Sequence, residues 1–169
     1  MSVLTLRHEI GCDEATYWDK CVLDDEYNKR LYLGELKFLS YELVEQRDEG
    51  ETVFRKVRAE PKAGNMPAAL KKAIGDSFGY TEEGTYDRKS KRYTFRTIPA
   101  AFSDKVKIQG TMQCEAIGPK RILRISDVRV DVKVFMIGGM IEERIVDDIK
   151  RSFSKAAEFT ETWVKEKGF

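Results

Sequence analysis

Between residues 81 and 135 the chain alternates apolar and polar side chains with a period of two, and beyond Gly138-Gly139 the period becomes 3.6 and holds to about residue 166. In the first stretch Val106, Ile108, Gly110, Met112 and Cys114 share one face, opposite Lys107, Gln109, Thr111, Gln113 and Glu115. Further on, Val128, Val130, Val132 and Val134 oppose Arg129, Asp131 and Lys133. Strands with one dry and one wet face belong to an antiparallel sheet covered on one side. In the second stretch Ile141, Ile145, Ile149, Phe153, Ala156 and Trp163 form the apolar stripe of a helix. At 1.5 Å per residue, roughly 27 residues give a rod about 40 Å long, enough to cross the whole sheet. One apolar sheet face and one long apolar stripe can each bury the other. Arg124 and Ser126 interrupt this pattern, because they extend the valine face backwards. Either a bulge shifts the register there, leaving both exposed, or polar groups enter the interior; the cost of burying them favours the bulge.

The remaining elements follow from similar signals. Residues 2–10 alternate as a strand, with Leu4, Leu6, His8 and Ile10 on one face. Gly11 ends it, Asp13 suits the cap of a helix from Glu14 to about Leu23, and Asp24 or Asp25 suits the cap of a second carrying Tyr27, Leu31 and Tyr32. From Glu35 to Lys62 the period is two again, with a polar turn at Gln46 to Gly50, which is a hairpin. Pro61 to Met66 is turn chemistry, and Pro67 opens a short helix in which Leu70, Ile74 and Phe78 recur every four residues. Strands at Thr81–Asp87, Lys91–Thr97, Lys105–Ala116 and Arg121–Phe135 complete the series. The expected fold is α+β of the helix-grip type, one domain over residues 1–169. About seven antiparallel strands curl around a long C-terminal helix, with two short helices after strand 1 and a lid helix after strand 3. A curved sheet against a straight helix leaves a gap unless large side chains fill it. Gly110, Cys114 and Ala116 on the inner face of the sixth strand are small enough to permit one.

Several chemistries lack the residues they need. Three cysteines, Cys12, Cys21 and Cys114, leave one unpaired under any pairing and show no metal-ligand or redox spacing, so they read as reduced core thiols. The single histidine, His8, leaves no material for a histidine-rich metal site or a serine triad. Neither glycine-rich nucleotide cradle is present. No catalytic residue, metal or cofactor is therefore expected. Thirty Lys and Arg against 29 Asp and Glu cancel along the chain, which argues against nucleic acid as a partner. Arg7 and Glu9 interrupt the first ten residues where a signal peptide needs an apolar run, so a cytoplasmic location is expected.

Three blocks carry a resemblance: NMPAALKKAIG at 65–75, FGYTEEGTYD at 78–87 and VFMIGGMIEERI at 134–145. Through them the chain resembles the START-like (SRPBCC) superfamily. From Met66 to Val164 it is similar to an uncharacterised bacterial family of that superfamily, and more distantly to the PRELI lipid-transfer domains, where a proline-led helix forms a lid over a phospholipid-sized cavity. The resemblance implies binding or transfer of a lipid or other hydrophobic small molecule between sheet and long helix, with residues 63–79 as the gate. The expected lining is Met66, Leu70, Ile74 and Phe78 from the gate, Tyr93, Phe95, Ile108, Gly110 and Met112 from the sheet, and Met140, Ile141 and Ile145 from the long helix. Lys71 and Lys72 beside the gate's apolar face suit transient contact with a membrane. Two alternatives stand beside this reading. One is a protein-interaction module with a filled core. The other is a cyclase-type enzyme of the same superfamily, for which Arg124, Ser126, Tyr93 or His8 would have to point inward.

Overall fold

The structure is a computed structural model describing residues 1–75 and 78–169. In chain order it contains β1 (Ser2–Ile10), α1 (Glu14–Tyr17), α2 (Asp25–Lys29), β2 (Ser40–Asp48), β3 (Thr52–Glu60), α3 (Ala68–Ile74), β4 (Tyr80–Asp87), β5 (Arg92–Pro99), β6 (Val106–Gly118), β7 (Arg121–Val132) and α4 (Gly138–Lys167). The strands form one antiparallel sheet in the order β1-β7-β6-β5-β4-β3-β2. Strands that follow one another in sequence are neighbours, except that β1 and β2 lie at opposite edges. The two short helices carry the chain between those edges. Each is started by an aspartate, Asp13 accepting from the Thr16 N–H at 2.9 Å and Asp24 from that of Tyr27 at 2.8 Å. Each then widens into a π-helical turn, Trp18–Val22 and Arg30–Glu35.

α4 is 30 residues long and grips the concave face. Its C-terminal half is packed tightly: Trp163 donates from Nε1 to the Lys20 carbonyl at 2.9 Å, and the Tyr27 and Thr160 hydroxyls meet at 2.7 Å. Trp18 and Tyr86 stack with ring centroids 4.6 Å apart beneath the first helices. This is the helix-grip arrangement expected from the order of elements, and it confines any gap to the N-terminal half of α4.

The structure corrects three local expectations. No bulge displaces Arg124 and Ser126, because Ile122 to Val130 pair without interruption with both β1 and β6; the register shift of the β6–β7 pair comes at Ala116/Gly118 instead. A strand held on both sides has no slack to turn a residue outward, and Arg124 and Ser126 are 2% and 0% exposed. The Arg124 guanidinium donates to the Tyr17 hydroxyl at 3.3 Å, to His8 Nδ1 at 3.1 Å and to the Phe153 carbonyl at 2.8 Å. Arginine can only donate, so the imidazole accepts and is neutral, in keeping with a His8 pKa lowered by burial and by the Arg124 charge. The seventh strand ends at Val132 rather than Phe135, and Phe135 and Met136 stand 90% and 86% exposed on the way into α4. Finally, the gate helix stops at Ile74 because Gly75 adopts φ 79°, so Phe78 follows the helix instead of ending it.

Candidate ligand cavity

Between the sheet and the N-terminal half of α4 lies a cavity of about 810 Å³. Its far side is formed by Phe95, Val106, Ile108 and Val128 of the sheet, and its near side by Met140, Ile141, Ile145, Ile149 and Phe153 of α4. Leu70, Ile74 and Phe78 come in from the gate segment. Leu70 is 1% exposed, so the gate helix turns that side chain fully inward while Lys71 and Lys72 stay outside.

Eight of the twelve expected lining residues therefore meet around one space: Leu70, Ile74, Phe78, Phe95, Ile108, Met140, Ile141 and Ile145. The other four do not. Met66 borders a separate shallow hollow with Ala63, Gly64, Asn65, Pro67 and Lys71. Tyr93 and Met112 are core side chains; the Met112 sulfur accepts from the Tyr17 hydroxyl at 3.4 Å. Gly110 leaves no opening, because a Cβ there would lie 2.7 Å from the Phe95 ring and 2.6 Å from the Asp127 carbonyl oxygen. Gly84 does the same for Tyr93, whose hydroxyl would stand 1.9 Å from an added Cβ. The two glycines thus let neighbouring aromatic rings lie across the sheet, with Tyr93 and Phe95 stacked at 6.1 Å between centroids. Small residues in the inner face make room for rings, and the cavity opens beside them. Ala116 is exposed and Cys114 half-buried against the core, so neither borders the cavity. His8, Arg124 and Ser126 do point inward, but sit behind Phe153, whose ring lies 5.3 Å from the Arg124 guanidinium.

Several lining side chains carry no period or motif that marks them. Tyr32, Leu36 and Phe38 enter from the segment joining α2 to β2, and Phe102 from the β5–β6 turn. Glu82 is half-buried, on the inner face of β4 between Tyr80 and Gly84. It accepts from the Tyr93 hydroxyl at 3.3 Å. Burial raises its pKa, only partly offset by the charge of Arg55 and by the Tyr93 hydrogen bond. Arg55 lies deeper, donating to the Tyr41 hydroxyl at 2.8 Å. Burial acts against its charge, yet the oxygens of Tyr93, Tyr41, Tyr32 and Glu82 outweigh that and hold it protonated.

Arg144 ties the gate to α4. Its guanidinium donates to the carbonyls of Ala63 at 3.0 Å and Asn65 at 3.2 Å, and lies 5.6 Å from the Phe78 ring centroid. One helix residue therefore holds both ends of the gate segment. Asp148, one turn along, accepts from Arg144 Nε at 2.9 Å and also pairs with Arg151. Gly64 and Gly75, with φ of 60° and 79°, bracket α3 and supply the backbone conformations at which the segment changes direction.

Among the described residues no group of three or more His, Cys, Asp or Glu side chains is placed to hold a metal ion, and no helix is long and apolar enough to cross a membrane.

No curated protein matches the sequence. Solved structures match over nearly the full length. The Zhui aromatase/cyclase from Streptomyces sp. R1128 superposes with a TM-score of 0.67 at 11% identity, over 99% of this chain and 96% of that one. Norcoclaurine synthase from Thalictrum flavum, in complex with dopamine and hydroxybenzaldehyde, gives 0.63 at 16% identity, over 98% and 87%. A START superfamily protein from Mycobacterium smegmatis gives 0.57 at 13% identity, over 92% and 97%. At such identities the likeness concerns the fold, which is START-like. The family model described as "Protein of unknown function (DUF2505)" matches residues 5–164, and the chain belongs to that family.

Proposed function

We propose that this protein binds a hydrophobic small molecule or lipid in the cavity between sheet and α4, and carries it through the cytoplasm with residues 63–79 as the gate. The observation that carries this reading is the cavity itself. In a domain whose other half is closely packed, about 810 Å³ remains open behind Leu70, Ile108, Val128 and Ile141, within the size range of small-molecule sites. The structural neighbours named as a cyclase and as a synthase bound to two aromatic compounds support a ligand-holding use of the fold. The gate's outer face carries Lys71 and Lys72, which suits brief contact with an anionic bilayer during loading, each lysine adding up to about 1 kcal/mol near such a surface.

The test is titration with the neutral fluorescent probe N-phenyl-1-naphthylamine. Wild type takes up about one equivalent, and Ile108→Trp, which fills the cavity from its sheet side, weakens uptake at least tenfold while circular dichroism shows an intact fold. Absence of uptake by wild type, or equal uptake by the filled variant, contradicts the reading.

A further inference from the structure

The cavity is apolar on most of its surface, and its sheet wall departs from that at Glu82 and its cross-strand partner Thr97. Glu82 is the one charged side chain that the sheet contributes to the lining, and aromatic rings surround it. Tyr80 lies two residues away on the same face of β4, and Phe95 is on the inner face of the next strand. Tyr32 and Phe38 come over from the α2–β2 segment, their centroids 5.2 Å apart and edge to face, with Phe38 also edge to face with Tyr80 at 6.4 Å. All four rings line the cavity. The Glu82 carboxyl uses Oε1 to accept from Tyr93, and among the described residues Oε2 has no hydrogen-bond partner, yet it is not sealed away from accessible space.

A carboxyl group set beside four aromatic rings attracts a specific kind of ligand. Ring faces carry the negative part of the aromatic quadrupole, so they add to the pull of a carboxylate on a cation and repel an anion. Arg55 offsets part of the Glu82 charge, but it is buried, bound to Tyr41 and absent from the lining, so a ligand in the cavity meets the carboxyl and not the guanidinium. Of the other cations on the lining, Arg144 and Arg151 are paired with Asp148, and Lys37, Lys62 and Lys155 are solvent-exposed.

We infer that the wall formed by Tyr32, Phe38, Tyr80, Phe95 and Glu82 is a subsite for an organic cation, a protonated amine or quaternary ammonium group carried by the hydrophobic ligand. This rests on the carrier reading and narrows it to a cationic amphiphile or an aromatic amine, whose apolar part lies toward Ile108, Val128 and Ile141.

The experiment compares three ligands of one chain length, decyltrimethylammonium, decanol and decanoate, below micelle-forming concentrations, by displacement of bound N-phenyl-1-naphthylamine. The subsite predicts that decyltrimethylammonium displaces the probe at about one tenth of the decanol concentration, the size of a desolvated cation–ring contact, with decanoate weakest. Glu82→Gln brings the ammonium and alcohol affinities to within about twofold of each other. If that variant fails to fold, Phe38→Ala removes one ring at the cavity lip and must lower the same ratio. Equal binding of ammonium and alcohol by wild type, or tightest binding of decanoate, overturns the cationic subsite while the cavity reading stands. Failure of the probe to bind at all overturns both.

Discussion

Buried thiols give the chemistry of single residues its clearest measurable consequence. Burial, helped by Asp13 and Glu161, pushes the Cys12 thiol up to about 11, and burial with Glu14 pushes Cys114 to about 12; Cys21 is raised further. In the native state all three are therefore protonated at pH 8 and resist iodoacetamide, whereas the unfolded chain takes up three equivalents. A thiol held neutral by the fold contributes nothing unfavourable below its unfolded pKa of about 8.5, and costs stability as pH rises from there toward 11 and 12. Denaturant unfolding is thus expected to give a constant free energy from pH 7 to 8 and a falling one from 9 to 11. The fall should be shallower in a Cys12→Ala, Cys21→Ala, Cys114→Ala variant and not abolished, since burial also raises Tyr17 and Tyr41 to about 12. At this scale the sequence was legible for apolar residues and misleading for polar ones. Arg124 and Ser126 followed the apolar face exactly as the pattern placed them, but the cost of burying them pointed to a bulge. The partners that make the burial of Arg124 tolerable, Tyr17, His8 and the Phe153 carbonyl, lie 107, 116 and 29 residues away, whereas among the described residues the buried Ser126 hydroxyl has no hydrogen-bond partner. Glu82 was hidden for the same reason, as an acidic residue in a strand reads as its wet face.

Elements locate the gate and the ring-bearing strands, and each makes a prediction. Arg144→Ala removes both carbonyl contacts and the Phe78 contact while leaving α4 intact, so the gate should open more often. Release of bound N-phenyl-1-naphthylamine, followed by stopped flow, is expected to speed up several-fold with little change in melting temperature; an unchanged rate would show that the gate does not limit exchange. Gly84→Ala and Gly110→Ala force a methyl group against Tyr93, and against Phe95 and the Asp127 carbonyl. Each is expected to destabilise the domain by about 1–3 kcal/mol in denaturant unfolding, the usual range for overpacking. An effect below about 0.5 kcal/mol would mean that the rings are not seated on the glycines. The existence of α3 and its inward Leu70 and Ile74 were readable from their spacing, and Pro67 and Gly75 mark its ends. The lip opposite was not. Tyr32, Leu36 and Phe38 sit where a helix passes into a strand, with no period to follow, and Arg144 and Asp148 resemble the i,i+4 ion pair of any wet helix face.

For the molecule as a whole, the order of strand, two helices, six strands and one long helix was sufficient to give the architecture. Alternation places every strand, and a 30-residue amphipathic helix has only one apolar surface large enough to receive it. The cavity was not readable in the same way, because a gap is what packing leaves over. Trp18, Tyr27 and Trp163 fill the C-terminal half of the grip, and among the described residues no comparable side chain fills the space beneath Ile141 and Ile145. The most direct test of the central claim is native mass spectrometry of the protein as purified from its host, with organic extraction and identification of whatever co-purifies. The account predicts a protein carrying one hydrophobic molecule per chain, lost when Leu70→Asp and Ile74→Asp open the gate in a domain that remains folded. A protein that is ligand-free as isolated, and that takes up no lipid or amine from vesicles, would contradict it.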